Sequence, residues 1–203
     1  MQNVSFIPDT LDAVWSQIRE MLTRGVADKK DPFQSLTLTT YDGRYPNPRT
    51  VILRKFISHP FTLICHSDTR AGKMIDIQSH PEIAWHGWHP RRRVQIRLYG
   101  HAQTFTEGPL WDTEWKRIGL TSRTNYSPIM PPAQEVASYQ KGQETYARLK
   151  ETTDKDSEEW KKHFAVIETQ IEEVEWLTLH REGHRRARFI KQNDQWEGKW
   201  WVP

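Results

Sequence analysis

RTVILRKFISHPFTLICHSDTRAGK, Arg49 to Lys73, is the stretch on which the reading of this chain turns. It holds two apolar, strand-like runs, 49–57 and 61–65, separated by Ser58-His59-Pro60. Arg49 opens the first run and Arg54 lies inside it; five residues apart in one strand, they are expected on opposite faces. After the second run come Ser67, Arg70, Gly72 and Lys73, at the start of a short helix expected over 71–79. Guanidinium, ammonium and hydroxyl donors beside a helix start, whose free N–H groups favour an anion, are the chemistry a phosphate needs. From spacing alone, a phosphate site and a solvated basic edge both stand.

Upstream, residues 1–9 read as a loose arm. Thr10 reads as the N-cap of a helix in which Leu11, Val14, Trp15, Ile18, Met21 and Leu22 recur at helical spacing, with Gly25 as its stop. Ser35 to Tyr41 alternates as a strand and runs into the Asp42-Gly43 turn. Downstream, strands are expected over 82–88 and 94–106, the latter bending at Gly100 and carrying Gln95 and Arg97 on one face. Helices are expected over 109–118 and 133–150, with a polar loop at 119–132 between them. A long strand lies within 164–179, a basic turn follows at His180 to Arg188, and two short strands close the chain. The pattern is mainly β with peripheral helices: an antiparallel barrel, the closure that removes sheet edges. One domain spans 1–203: an N-terminal arm and helix (1–32), the barrel core (33–106), a helical and loop insertion (107–163) and C-terminal barrel strands (164–203).

Composition narrows the function. At 203 residues the chain suffices for one real core. Twenty-nine Lys and Arg against 26 Asp and Glu give a formal net charge of +3, too mild to call for nucleic acid. The basic turns at Arg91 to Arg93 and Arg185 to Arg188 lack the aromatic pattern of an RNA-binding sheet. The single cysteine, Cys65, excludes a disulfide framework within one chain and reads as a buried thiol. His86 with His89, and His180 with His184, lack the setting of a metal site, and none is expected. No run has the length of a signal-peptide core or a membrane span, so a cytoplasmic location is expected.

Taken together, the motifs resemble those of the pyridoxamine 5′-phosphate oxidase family, the FMN-binding split barrels. Arg49-Thr50-Val51-Ile52-Leu53-Arg54 is similar to its R-x-V-x-L-[KR] motif, and His66-Ser67 with Arg70, Gly72 and Lys73 to its phosphate element. The strand from Pro81 to Trp88 and the Arg93 to Gly100 strand follow in the family's order, Gln95 falling on a flavin-contacting glutamine. Val174-Glu175-Trp176 and Arg186-Ala187-Arg188-Phe189 resemble the C-terminal motif, in which a Trp and the last Arg contact FMN. Ser122-Arg123 and the following YSPIMPP resemble the oxidase-related branch more than the vitamin-B6 enzyme itself.

The resemblance implies an FMN-dependent oxidoreductase, a homodimer with FMN at the subunit interface and a small-molecule substrate. Arg49, Ser67, Arg70 and Lys73 would hold the phosphate. Val51 and Leu53 would lie along the isoalloxazine, and Gln95 would bond its polar edge. Trp176 and Arg188 would come from the second subunit. Arg54 or Arg188 would set a positive charge by the pyrimidine edge, with Ser122 a further contact. His184 and Arg186 would orient the substrate. An FMN-binding protein without turnover of its own, and a basic nucleic-acid-binding barrel, are the alternatives.

Overall fold

The computed structural model describes residues 7–127, 131–141 and 157–203. Helix α1, Leu11–Ala27, begins where Thr10 Oγ1 accepts the Ala13 N–H at 3.2 Å, and its buried stripe is Val14, Ile18, Met21 and Leu22. It runs two residues past Gly25. That glycine is a point of close approach rather than a stop, because a Cβ there would lie 2.6 Å from the Phe33 backbone.

Among the described residues nine strands follow, all antiparallel to their neighbours: β1 Ser35–Tyr41, β2 Pro46–Ile52, β3 Lys55–Ser58, β4 Phe61–Asp68, β5 Glu82–His89, β6 Val94–Phe105, β7 Phe164–Thr178, β8 Arg185–Gln192 and β9 Gln195–Trp201. Their order is β2-β1-β5-β6-β7-β4-β3, with β8 and β9 continuing from β7. β6 pairs along β7 with a register shift at Tyr99/Gly100. Gly100 is needed there: a Cβ would sit 2.0 Å from the Gln170 carbonyl oxygen. The first half of β7 holds β4 and the second half holds β8.

The expected single strand over 49–57 is in fact two. β2 pairs with β1, β3 pairs with β4, and the chain changes partner at Leu53-Arg54. The Leu53 N–H donates to the Gln34 carbonyl and the Arg54 N–H to the Ile64 carbonyl, each at 2.8 Å. Because β2 and β3 are the two ends of the sheet order, these two residues close the barrel covalently.

β4 separates two cores. Phe61, Leu63 and Cys65 face the barrel interior with Leu36, Leu38, Trp85, Ile96, Leu98, Val174 and Trp176. Ile64 faces a second core of Trp115, Tyr126, Trp160, Phe164 and Val166. This core lies under α3, Gly108–Lys116, and the short α4, Leu120–Arg123, which occupies part of the expected polar loop. Of the helix expected over 133–150, residues 133–138 are not helical, 139–141 are, and 142–150 lie outside the described residues. Among the described residues, no helix is long and apolar enough to cross a membrane.

Candidate functional site

Three cations gather around the buried end of β4. α2, Gly72–Ser79, starts after Ala71 with no side chain capping its first N–H groups. Lys73, on its first turn, donates from Nζ to Ser67 Oγ at 3.2 Å, and among the described residues it forms no ion pair with a carboxylate. Burial pushes the Lys73 ammonium below its usual range. Ser67 itself is enclosed.

Arg49, on β2, donates from Nη1 to Thr40 Oγ1 at 2.6 Å and approaches Asp76 Oδ2 at 3.6 Å. The Thr40 hydroxyl in turn donates to Asp76 at 2.5 Å. Burial lowers the Arg49 pKa, with Asp76 pulling against it. Arg54, at the seam, has its Nε enclosed with no partner among the described residues. Lys73, Arg54 and Arg49 all act on the Cys65 thiol, yet burial dominates and pushes it up to about 12, so it stays neutral and inert.

This arrangement suits an anion. Two of its three cations lack a carboxylate partner, and unpaired buried cations are costly unless something compensates them. A Cβ at exposed Gly72 would meet open space, so a ligand oxygen can approach the backbone there.

Not every residue expected at the phosphate joins this cradle. Arg70 points to the other side of β4, where its Nε and Nη2 hold Asp68 at 2.9 and 2.6 Å and Nη2 also reaches the Ser127 carbonyl at 2.9 Å. It ties the α4 region to β4. His66 also faces the second core, since alternate strand residues point oppositely; its Nε2 lies 3.1 Å from Glu114 Oε2. Val51 and Leu53 are core side chains, 8% and 2% exposed, so only their backbone can border a ligand. Thr50 and Ile52 point outward. Ser122 lies in α4, its carbonyl accepting from Asn125 Nδ2 at 3.1 Å, and among the described residues it forms no hydrogen bond with the cradle.

A second group forms on the outer face of the sheet. Cross-strand register aligns Trp88, Gln95, Leu177, Arg186 and Trp201 in one row. The next row on that face is His86, Arg97, Glu175, Arg188 and Lys199. Glu175 accepts from both Arg97 and Arg186, the latter at 2.8 Å. Burial opposes ionisation of Glu175, but the bonds from Arg186 and Arg97 outweigh it and hold its carboxyl below the usual range. Arg188 holds Glu173 through Nε and Nη2, both at 2.6 Å, and lies over the Trp201 ring at 5.1 Å.

Trp176 is not in this group. It is fully buried in the barrel, and its Nε1 donates to Gln17 Oε1 at 2.9 Å. The period-two alternation of β7 turns Trp176 inward and gives the outward position beside Gln95 to Leu177. His184 is exposed in the turn before β8, apart from the paired Arg186.

The two groups are remote within one chain. Ser67 lies opposite Ala165 and Gln95 opposite Leu177. Those twelve residues of β7 span about 40 Å at ~3.3 Å per residue, so Gln95 and Ser67 cannot close on one phosphate-sized group. A groove of about 870 Å³ also opens on the outer face, lined by Thr39, Ala84, Tyr99 and Ile190 among others. Its rim carries Glu82, Glu172, Glu173 and Asp194 with His101 and Lys191 among them, an excess of carboxylates that disfavours a phosphate there. Among the described residues no cluster of His, Cys, Asp and Glu could hold a metal ion.

The supporting residues were the ones that sequence reasoning missed. Thr40 and Asp76, which steady Arg49, are polar residues at inward positions of an alternating strand and a short helix. That misfit was their signal.

Comparison with known proteins bears on this geometry. Residues 12–106 match the family model described as pyridoxamine 5′-phosphate oxidase, FMN-binding domain. A pyridoxine/pyridoxamine 5′-phosphate oxidase of Prochlorococcus marinus (strain MIT 9303) is 30% identical over 88 residues, which is 43% of this chain and 38% of that protein's length. The solved structure of a pyridoxamine 5′-phosphate oxidase-related, FMN binding protein of Nostoc punctiforme PCC 73102 superposes with a TM-score of 0.73 at 19% identity, covering 93% of this chain and 96% of that one. PhzG of Burkholderia lata 383, solved with tetrahydrophenazine-1-carboxylic acid, gives a TM-score of 0.75 at 15% identity over 98% and 99% of the two chains. At such identities these two likenesses speak for the split-barrel fold alone.

Proposed function

From a chain whose residues 12–106 belong to the FMN-binding domain family of pyridoxamine 5′-phosphate oxidase, we infer a flavoprotein that carries FMN in the cradle at the barrel seam. The observation that carries this reading is the under-paired cation cluster of Arg49, Arg54 and Lys73 around Ser67. Arg49, Lys73 and Ser67 hold the phosphate, with the first N–H groups of α2 and the open backbone at Gly72 beside them. Thr40 and Asp76 keep Arg49 aimed. The backbone of Thr50 to Leu53 borders the ring system. Bound FMN supplies hydride or electron transfer, and the protein supplies binding, orientation and electrostatics.

The remoteness of Gln95, Leu177, Arg186 and Arg188 from Ser67 supports a homodimer in which each subunit completes the other's site. The outer-face group then meets the flavin held by the partner. Arg186 and Arg188 enter that site with their charge already matched by Glu175 and Glu173. They therefore orient a small substrate more than they attract it. A flavin binder without turnover is the second reading, favoured by this same neutralisation and by the outlying position of His184.

The purified protein should show a flavin absorption band, or acquire one on incubation with FMN, and elute as a dimer. A colourless protein that cannot be reconstituted would overturn the reading. Anaerobic bleaching of the band by pyridoxamine 5′-phosphate, NADH or NADPH separates the enzyme from the binder.

A further inference from the structure

Below the rows of Gln95 and Arg97, the same outer face of the sheet carries a third: Thr39, Ala84, Tyr99, Glu173, Ile190 and Glu197. Beyond it lies Glu82 beside His101. Charge runs one way across these rows. Arg188 and Lys199, in the second row, reach Glu173 and Glu197, in the third, at 2.6 and 2.9 Å. Both pairs point their cation toward the row of Gln95. At that end Arg97 and Arg186 share one carboxylate, Glu175. At the other end Glu82 and Glu172 share one imidazole, His101, at 3.6 and 3.1 Å. The face therefore carries a dipole, cationic at the row of Gln95 and acidic at Glu82.

Shape follows the same division. The cationic end bears large side chains, among them Trp88 and Trp201, 39% and 47% exposed. The acidic end holds the groove of about 870 Å³, above the small side chains of Thr39 and Ala84. Exposed aromatic chains at one end and a hollow at the other mark an interaction surface. The occupant that matches hollow and dipole together is this same face, reversed end for end.

We propose that a second copy of the chain seats on this face in reversed orientation, so that the bulky cationic end of each subunit enters the acidic groove of the other. The proposal rests on the homodimer of the flavin reading and gives it a face and an orientation. A two-fold contact sets residue i on j and j on i, so one rotation satisfies both ends. An axis running across the strands reverses the order of the rows, whereas an axis along them would set cation on cation. The reversal carries Gln95 and Arg186 of one subunit toward the groove end of the other. There Tyr41 and Pro46, of β1 and β2, line the groove, and Thr40, next along β1, holds Arg49. The distance from Gln95 to Ser67 within one chain is shortened between two.

The test is the association of the full-length chain, followed by sedimentation. Glu82→Lys with Glu172→Lys reverses the acidic end, and Arg186→Glu with Lys199→Glu reverses the cationic end. Each double variant alone should raise the dimer dissociation constant on the order of a hundredfold, because like charges then face one another. Mixed in equal amounts, the two should dimerise again, since each reversed end meets a reversed end. Ala84→Trp, which fills the groove without changing charge, should weaken the dimer too, and the wild-type dimer should weaken as salt rises. Circular dichroism checks the fold of each variant. Variants as dimeric as wild type, or folded monomers that mixing does not rejoin, would overturn the proposal. If the charge variants do not fold, an undisturbed Ala84→Trp dimer overturns it alone. A wild-type dimer indifferent to these changes defeats this face and leaves the homodimer standing. A wild-type monomer defeats both, and the flavin band is read separately.

Discussion

Arginines at the barrel seam and arginines on the outer face of the sheet live under opposite rules. On the outer face, Arg97 and Arg186 share Glu175, and Arg188 grips Glu173 with two nitrogens. At the seam, Lys73 has a hydroxyl for company, Arg54 has an orphaned Nε, and Arg49 shares Asp76 with a threonine. The first group is neutralised by its own chain and holds strands β6, β7 and β8 together. The second has fewer carboxylates beside it: Asp76 approaches Arg49, and Lys73 forms no ion pair among the described residues. A cation count would treat the two as equal; the carboxylates beside them are what distinguish the group we propose to hold the phosphate.

The sharpest way to break that contrast is to remove charge from each side in turn. Arg49→Ala with Lys73→Ala should raise the FMN Kd by about 10²- to 10⁴-fold, since each charged hydrogen bond contributes roughly 1.5–3 kcal/mol. The folded state should survive. Flavin content after desalting, with circular dichroism as the control, checks both halves of the statement. Undiminished flavin would mean that the seam is not the anion site.

Glu175→Gln should do the reverse. It leaves Arg97 and Arg186 facing one another and should lower stability by about 1–3 kcal/mol, the range for breaking a pair that is buried on one side and screened on the other. Phosphate affinity should hardly change. Thermal melts and FMN titration on the same sample separate the two effects.

pH sharpens the comparison further. Burial holds His66 below its usual value of 6.5, so the stability it contributes is full above pH 6.5 and is lost as pH falls through the lowered value. The hydrogen bond from His66 holds Glu114 below its usual 4.5, and its contribution is likewise full above 4.5 and lost below. Urea midpoints should therefore fall steadily from pH 7 to 4, with the upper part of the decline missing in His66→Gln. The smallest effect is expected from Arg188→Ala, a partly exposed pair worth at most ~1 kcal/mol. Its melting temperature should move by a few degrees at most.

Much of the barrel could be read before the structure. Ser35–Tyr41 was legible to the residue because its alternation ends at an Asp-Gly turn. Of the motif residues, Lys73 and Ser67 are in hydrogen-bond contact, while Arg49 is held by Thr40 and Asp76. The break at Leu53-Arg54 was not legible, because an apolar run looks the same whether it keeps one partner strand or exchanges it for another. Trp176 shows a related limit. A tryptophan next to a motif invites a ligand role, but strand parity fixes its direction, and parity depends on a register that local sequence does not carry. Arg70 is drawn away from the cradle for a third reason. Asp68, only two residues away, holds its guanidinium through two hydrogen bonds.

The covalent seam has a further consequence, for the order in which the protein is made. The hairpins β1–β2 and β3–β4 can form early, from neighbouring sequence. β4 has its second neighbour only when β7 arrives, after the long insertion, and until then Ser67 sits on an open edge. Such distant pairings close slowly. The ring is thus closed late, around a cradle whose own residues, Thr40 to Asp76, are translated early.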